Sequence, residues 1–558
     1  MLHHVFIWAH LSILIASLIA GARATDHGDC IVNTPHSRII GHRSGIQSEV
    51  CEFLGIPYAA APVQDLRFAP PEARNLTADF VANTWVSGYH DSRACLRASK
   101  LIISRSLVTQ GADCPQNPAS LFAYPNATSQ YSQLFTSFVS TTATNHTQSE
   151  DCLKLNIWIK ADALKLNASH PVLMWIHGGR HSSGTSNTPF YNGANFAAFK
   201  NAAFVTFNFR MNIFGFPGAP EATQNVGLLD HYAAVQWVHD NIKYFGASPA
   251  RMSLFGQSSG AAAVGNWAYA FKEKPLVAGI ASHSGNQFSF PTNSLELAAS
   301  NWYNVSGTLG CGTSGTTLEC MRSSNITFQK ILNAVKKVPT VPTNSPARSQ
   351  PQFQVTQDNK TWFSTEEYIS RVKSGNLADI PYLQIHGNHE SGFYRISALA
   401  QGNTLTEEAW EEFELETFTC AAAAEAYYRT EQGIPNYRSR YMADWENTRL
   451  YDPPSSGAYH GVEIYMVTGN SGLVSGIIPV EAQTDLTTSV SDRWWWFAND
   501  AANGLADAFG WPRYDASAET LGLIGTGNTS RIEFVDPSLY DSQCPEIDLD
   551  YWDSAIPA

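Results

Sequence analysis

A glycine-flanked serine pair, Gly256-Gln257-Ser258-Ser259-Gly260, sits between an apolar run, Met252-Ser253-Leu254-Phe255, and a small-residue stretch, Ala261-Ala262-Ala263-Val264. A G-x-S-x-G pentapeptide in this context predicts a strand that turns sharply into a helix, with the serine hydroxyl lifted above the sheet at the turn. Glycines two residues to either side let strand and helix approach with no Cβ between them. The pentapeptide occurs once in the chain, against about 0.2 matches expected by chance. It points to an α/β architecture and makes Ser258 the candidate nucleophile.

A serine hydroxyl attacks a carbonyl only if a base takes its proton, an acid orients that base, and donors await the oxyanion. Upstream, Pro171 to Ile176 is a short apolar run of buried-strand type that ends in His177-Gly178-Gly179, where glycines can turn backbone N–H groups toward a ligand. Downstream, Pro381 to Ile385 reads as another buried strand, followed by His386-Gly387-Asn388-His389-Glu390-Ser391-Gly392. Glu390 falls just past the strand's C-terminal end, where open α/β sheets place their chemistry. Further on, Gly457-Ala458-Tyr459-His460-Gly461 offers a histidine in a glycine-flanked loop, although with 17 histidines in the chain order alone does not select it. The run His386 to Glu390 superficially resembles a zinc motif, but such motifs need a helix, which Gly387-Asn388 opposes. No metal and no cofactor is expected.

Further matches along the chain give a resemblance. Phe53 to Ala59 with Leu66-Arg67-Phe68, Glu150 to Asn156, Asn208-Phe209-Arg210, Asn225 to Asp230, Glu390 to Tyr394, His460 to Glu463, and Trp511-Pro512 with Tyr514 resemble, in order, the segments of the type-B carboxylesterase/lipase family, the cholinesterase-like α/β-hydrolases. The resemblance implies a central, largely parallel sheet flanked by helices, with insertions forming a gorge or cap. It implies Ser258 as nucleophile, His460 as base and then acid, and Glu390 as orienting carboxylate. The oxyanion donors would be the N–H groups of Gly179, Arg180 and Ser259. The family usually carries glycine where Arg180 stands and alanine where Ser259 stands, and its acid loop is usually about two residues longer. Cholinesterase relatives have a glutamate immediately before the serine, where this chain has Gln257. The expected activity is therefore carboxylic ester hydrolysis on uncharged short- to medium-chain esters. The alternatives are a true lipase for long-chain acylglycerols and a catalytically dead adhesion relative, the latter disfavoured because all three triad positions are filled.

Composition bounds the setting. A mostly apolar run from Val5 to Ala20 followed by Ala22-Arg23-Ala24 reads as a signal peptide over residues 1–24, leaving 25–558 as one interleaved domain. Eight N-glycosylation sequons, at Asn75, Asn126, Asn145, Asn167, Asn304, Asn325, Asn359 and Asn528, agree with an extracellular location. A net charge of −14 with scattered basic residues argues against nucleic acid or an anionic membrane as partner, and no C-terminal anchor signal is present. Nine cysteines imply disulfides plus one odd residue. The resemblance pairs Cys114 with Cys152 and Cys311 with Cys320, and proximity makes Cys30 with Cys51 plausible; Cys95, Cys420 and Cys544 remain open. Leu228 to Phe245 carries apolar residues at spacings of three and four and reads as an amphipathic crossover helix stopped by Gly246. Trp494-Trp495-Trp496-Phe497 reads as a buried helix rather than an aromatic platform. Oligomeric state is left open.

Overall fold

The computed structural model describes residues 30–74, 76–82, 111–117, 124–125, 127–139, 147–165, 169–339, 351–400 and 402–546. The chain builds an eleven-stranded mixed sheet. Its strands are β1 (His42–Arg43), β2 (Val50–Pro57), β3 (Lys154–Lys160), β4 (His170–Ile176), β5 (Ala203–Phe207), β6 (Ala247–Gln257), β7 (Gly279–His283), β8 (Tyr382–Gly387), β9 (Asn436–Tyr441), β10 (Leu521–Ile524) and β11 (Ile532–Val535). The spatial order is β11-β10-β9-β8-β7-β6-β4-β5-β3-β2-β1. Strands β5 through β10 in that order, with β4, pair in parallel, and antiparallel strands close both edges. The central strands are buried along nearly their whole length, which is why they appear in the sequence as continuous apolar runs rather than alternating ones.

Register explains where the chemistry converges. Ile176 of β4 and Ser282 of β7 both pair with Gly256 of β6, and Ser282 pairs in turn with Gln384 of β8. The C-terminal ends of four neighbouring strands therefore stop at one level, and the segments carrying Gly179, Ser258 and Glu390 leave the sheet side by side.

Helices cross between the strands as the apolar spacing predicts. α1 (Val226–Asn241) buries Leu228, Val235 and Val238 and runs into a 3₁₀ turn, Ile242–Phe245, that ends at Gly246 in a left-handed conformation. α2 (Ser259–Ala270) follows the elbow, α3 (Ser391–Ala400) follows Glu390, and α4 (Glu481–Asn499) carries the tryptophan run. Trp494 and Phe497 of α4 are buried, with Trp495 and Trp496 partly covered, so the run is mainly core.

Two of the quoted motifs are architectural. Arg67 makes a bidentate pair with Glu150, at 2.6 and 2.7 Å, and also donates to the carbonyls of Met321 and Ile326, so one guanidinium ties three distant segments together. Arg210 grips Asp230 of α1 in the same way, at 2.8 and 2.7 Å, with both side chains fully enclosed. Buried pairs of this geometry satisfy each other's hydrogen-bonding needs and are costly to break from one side.

Candidate active site

β6 delivers Ser258 into a strained turn, with φ 58° and ψ −125°. The Ser258 N–H donates to the His283 carbonyl at 2.8 Å, which anchors the turn to β7. A Cβ at Gly256 would lie 2.4 Å from the Gly260 carbonyl oxygen, and one at Gly260 would lie 2.3 Å from that of Ile176. Both glycines are required by close backbone approach. A serine held at positive φ costs on the order of 1–3 kcal/mol, and such outliers cluster at functional sites.

Glu390 leaves β8 through a loop that closes on itself: its Oε1 accepts the Gly387 N–H at 2.6 Å. The shorter acid loop thus still presents the carboxylate, whose Oε2 lies 2.6 Å from Nδ1 of His460. Both side chains are almost wholly enclosed. Burial raises the Glu390 carboxyl above the usual carboxylate range, and the contact with His460 opposes that rise. The two loops also meet through backbone, with the His389 N–H donating to the Ala458 carbonyl at 3.0 Å.

The carboxylate fixes the imidazole's tautomer. With Nδ1–H donating to Glu390, Nε2 is left as an acceptor. The Tyr394 hydroxyl donates to it at 3.3 Å. No hydrogen bond joins Ser258 Oγ to Nε2 in this arrangement, although Gly461 packs against Gln257 Nε2, so the histidine loop abuts the elbow. The rings of Tyr394, Phe418 and Phe393 surround the imidazole, with centroids 5.1, 5.3 and 5.9 Å away. Tyr394 and Phe418 escape sequence reasoning as site residues. The one usable signal was that Tyr394 lies four residues after Glu390, on the same side of the turn into α3.

The segment after β4 winds tightly. Gly179 has φ 119°, and a Cβ there would sit 1.9 Å from the Ser183 carbonyl oxygen. Arg180 and His181 follow at φ 57° and 54°, two consecutive side-chain-bearing residues in the left-handed region. The Ser259 hydroxyl accepts the His181 N–H at 3.2 Å, so a serine in place of the family's alanine ties this loop to the start of α2. Among the described residues, the N–H groups of Gly179, Arg180 and Ser259 have no protein acceptor. Beneath the loop, burial holds His177 at a pKa of about 4 and His181 at about 3, so both are neutral near pH 7.

A cavity of about 20 Å³ opens beside Ser258, lined by Arg180, Ser259, Phe290, Val355 and Trp362 among others. Among the described residues no carboxylate pairs with the Arg180 guanidinium and no hydrogen bond engages it. Burial lowers its pKa, and the Tyr394 phenol is the titratable neighbour that opposes this.

The disulfides form as Cys30–Cys51, Cys114–Cys152 and Cys311–Cys320, joined by Cys420–Cys544, the pairing the sequence left open. Cys95 lies outside the described residues, as do residues 1–24 and the sequons at Asn75, Asn126, Asn145 and Asn167. Asn304, Asn325, Asn359 and Asn528 are exposed. The Asn528 amide is occupied by the Asp444 backbone, which it caps from both sides at 2.7 and 2.8 Å.

A parallel-centred sheet with a strand–serine–helix turn, a carboxylate–imidazole pair and a glycine-wound loop at its C-terminal edge defines an α/β-hydrolase. The pattern of the carboxylesterase family matches residues 28–449, and the chain belongs to that family. It is a carboxylic ester hydrolase. It is similar to Secreted lipase 5 of Gibberella zeae, 27% identical over 544 residues and covering 92% of this chain and 93% of that protein. It is also similar to a chlorogenic acid esterase of Aspergillus niger, 27% identical over 551 residues, covering 94% of this chain and 95% of that one. The acetylcholinesterase of Electrophorus electricus is 32% identical over 288 residues, which is 50% of this chain and 39% of that one. Among solved structures, two of a PNB esterase superpose with TM-scores of 0.70 and 0.68 at 23% and 24% identity. They cover 95% and 92% of this chain and 99% of theirs, and they bear on the fold alone.

Proposed function

We propose that the chain is a secreted carboxylesterase that cleaves short- to medium-chain esters through an acyl-enzyme on Ser258. The observation that carries this reading is the enclosed Glu390–His460 pair at 2.6 Å, set against the serine elbow. Nε2 of His460 takes the Ser258 proton as Oγ attacks the carbonyl, and it returns that proton to the leaving alcohol. Glu390 keeps Nδ1 protonated and stabilises the imidazolium. The N–H groups of Gly179, Arg180 and Ser259 receive the oxyanion. Water then repeats the sequence and releases the acid. The Tyr394 hydroxyl must yield Nε2 to Ser258 when substrate enters.

A leader over residues 1–24, four disulfides and exposed sequons support export of one catalytic domain, residues 25–558, with carbohydrate on at least the free asparagines. A neutral Gln257 beside the serine and a cationic Arg180 disfavour positively charged substrates such as choline esters. The relative named as a lipase keeps long-chain acylglycerols as a second reading, and the small cavity beside Ser258 favours short acyl groups over it. Initial rates on p-nitrophenyl esters from acetate to palmitate, with and without an emulsion interface, decide between them. The esterase reading requires a maximum at short chains and no interfacial activation; a maximum at palmitate that depends on the emulsion would replace it with the lipase reading.

A further inference from the structure

Among the described residues Arg180 is a cation without a counter-ion, and it lies beside the proposed nucleophile. Long charged side chains covered by protein normally find partners: Arg67 pairs with Glu150, Arg210 with Asp230, Arg429 with Glu425 and Arg438 with Asp541, while Arg440 donates to the Thr419 hydroxyl and the Asn388 amide oxygen. Arg180 has neither ion pair nor hydrogen bond among the described residues, yet it lines the cavity that holds Ser258. It also stands at φ 57°, a conformation that glycine adopts freely and arginine does not. A side chain retained against a backbone penalty, partly covered by protein, unpaired among the described residues and lining the cavity at Ser258, is placed to meet an anion that arrives from outside.

The cavity determines which half of the ester carries that anion. The leaving alcohol must take its proton from His460, so it departs on the imidazole side. The cavity opens on the side of Ser258, Ser259 and Arg180, and it is closed by Phe290, Val355 and Trp362, with His460 absent from its wall. That is the acyl side. Its small volume restricts the acyl group to a few atoms, so the negative charge has to lie close to the scissile carbonyl.

Resting on the esterase reading above, we propose that Arg180 is a specificity-determining residue that binds a carboxylate borne by the acyl group of the substrate. The class of substrate is a monoester of a short dicarboxylic acid. Its free carboxylate meets the guanidinium fork while the ester carbonyl meets the oxyanion donors, and Tyr394 stands nearby as a further hydrogen-bonding group. Guanidinium and carboxylate match in geometry and charge, and partial cover from solvent strengthens their contact.

The test compares monoethyl malonate with ethyl butanoate, an anionic and a neutral acyl group of nearly equal length, by pH-stat hydrolysis. Because the Arg180 backbone belongs to the proposed oxyanion hole, the readout is the ratio of kcat/KM for the two esters, from which a change in the hole common to both cancels. Arg180→Met should lower the anionic-to-neutral ratio by about 10- to 100-fold, and Arg180→Lys should recover part of it. The same ratio in wild type, Arg180→Met and Arg180→Lys overturns the proposal. A second arm is independent of turnover. In the Ser258→Ala background, NMR titration should show the dissociation constant of monoethyl malonate rising at least tenfold on Arg180→Met, while that of ethyl butanoate stays within about twofold. If neither ester is turned over by any form but this binding preference holds, the esterase reading fails and the Arg180 site stands. If both esters are hydrolysed and no preference depends on Arg180, the reverse holds.

Discussion

Replacing Glu390 by glutamine tests how the site is organised, because the structure dictates what the new amide must do. Glu390 spends one oxygen on the Gly387 N–H at 2.6 Å and the other on His460 Nδ1 at 2.6 Å. A glutamine has one oxygen and one NH₂ to offer. The Gly387 N–H can only donate, so the amide oxygen must face it, and the NH₂ is then turned toward Nδ1. Facing a donor, Nδ1 becomes the acceptor and the proton moves to Nε2, the nitrogen proposed to receive a proton from Ser258. The side chain's volume and both hydrogen bonds survive, so the fold should too. The base is put in the wrong tautomer, a change that in a Ser-His-Asp site lowers kcat by about 10⁴, equivalent to about 5.5 kcal/mol in activation free energy. The assay is steady-state hydrolysis of p-nitrophenyl butyrate, with circular dichroism and thermal unfolding to confirm an intact fold. Folded Glu390→Gln enzyme that keeps more than a tenth of the wild-type kcat would show that the orienting acid lies elsewhere and that the 2.6 Å contact has another purpose.

The buried histidines give a pH-dependent stability. His177 is held at a pKa of about 4, below its value of about 6.5 in the unfolded chain, so the unfolded state takes up the extra proton. Its contribution is therefore complete above about pH 6.5 and is lost as pH falls toward 4, amounting to about 2 kcal/mol between pH 7 and pH 5. Denaturant unfolding of His177→Asn at both pH values should show a pH 7-to-5 loss smaller by about that amount, and an unchanged loss would mean that His177 is not the group responsible. Cys420–Cys544 closes the longest of the four disulfide loops, with a sequence separation of 124. In the chain-entropy model its removal in Cys420→Ser/Cys544→Ser should cost up to about 5 kcal/mol, read as a drop in unfolding midpoint; an unchanged midpoint would place that bridge among the dispensable ones.

Much of the fold was legible because buried parallel strands announce themselves. Pro171 to Ile176, Met252 to Phe255 and Pro381 to Ile385 are short apolar runs punctuated by glycine, and each became a strand ending at the site edge. The crossover helix was readable from its spacing and its terminating Gly246. What stayed hidden depends on where side chains turn once the strands are assembled. Tyr394 reaches His460 only because α3 folds back over the histidine loop, and no local pattern encodes that return. Cys420 and Cys544 meet over a separation of 124 residues, and cysteine pairing at that distance is not deducible from sequence. The ring cage around His460 draws on Phe418, which belongs to no motif. Arg180 was visible as a departure from the family pattern, but its lack of a partner is a property of the folded cavity.

Ser258 is the residue proposed to become acylated. The most direct measurement is stoichiometric reaction with a fluorophosphonate probe, followed by peptide mapping of the adduct and assay of residual activity. One probe per chain on Ser258, loss of activity in proportion to labelling, and no labelling of Ser258→Ala are the predicted results. A probe attached to a different serine, with Ser258→Ala still turning over p-nitrophenyl butyrate at the wild-type rate, would contradict it.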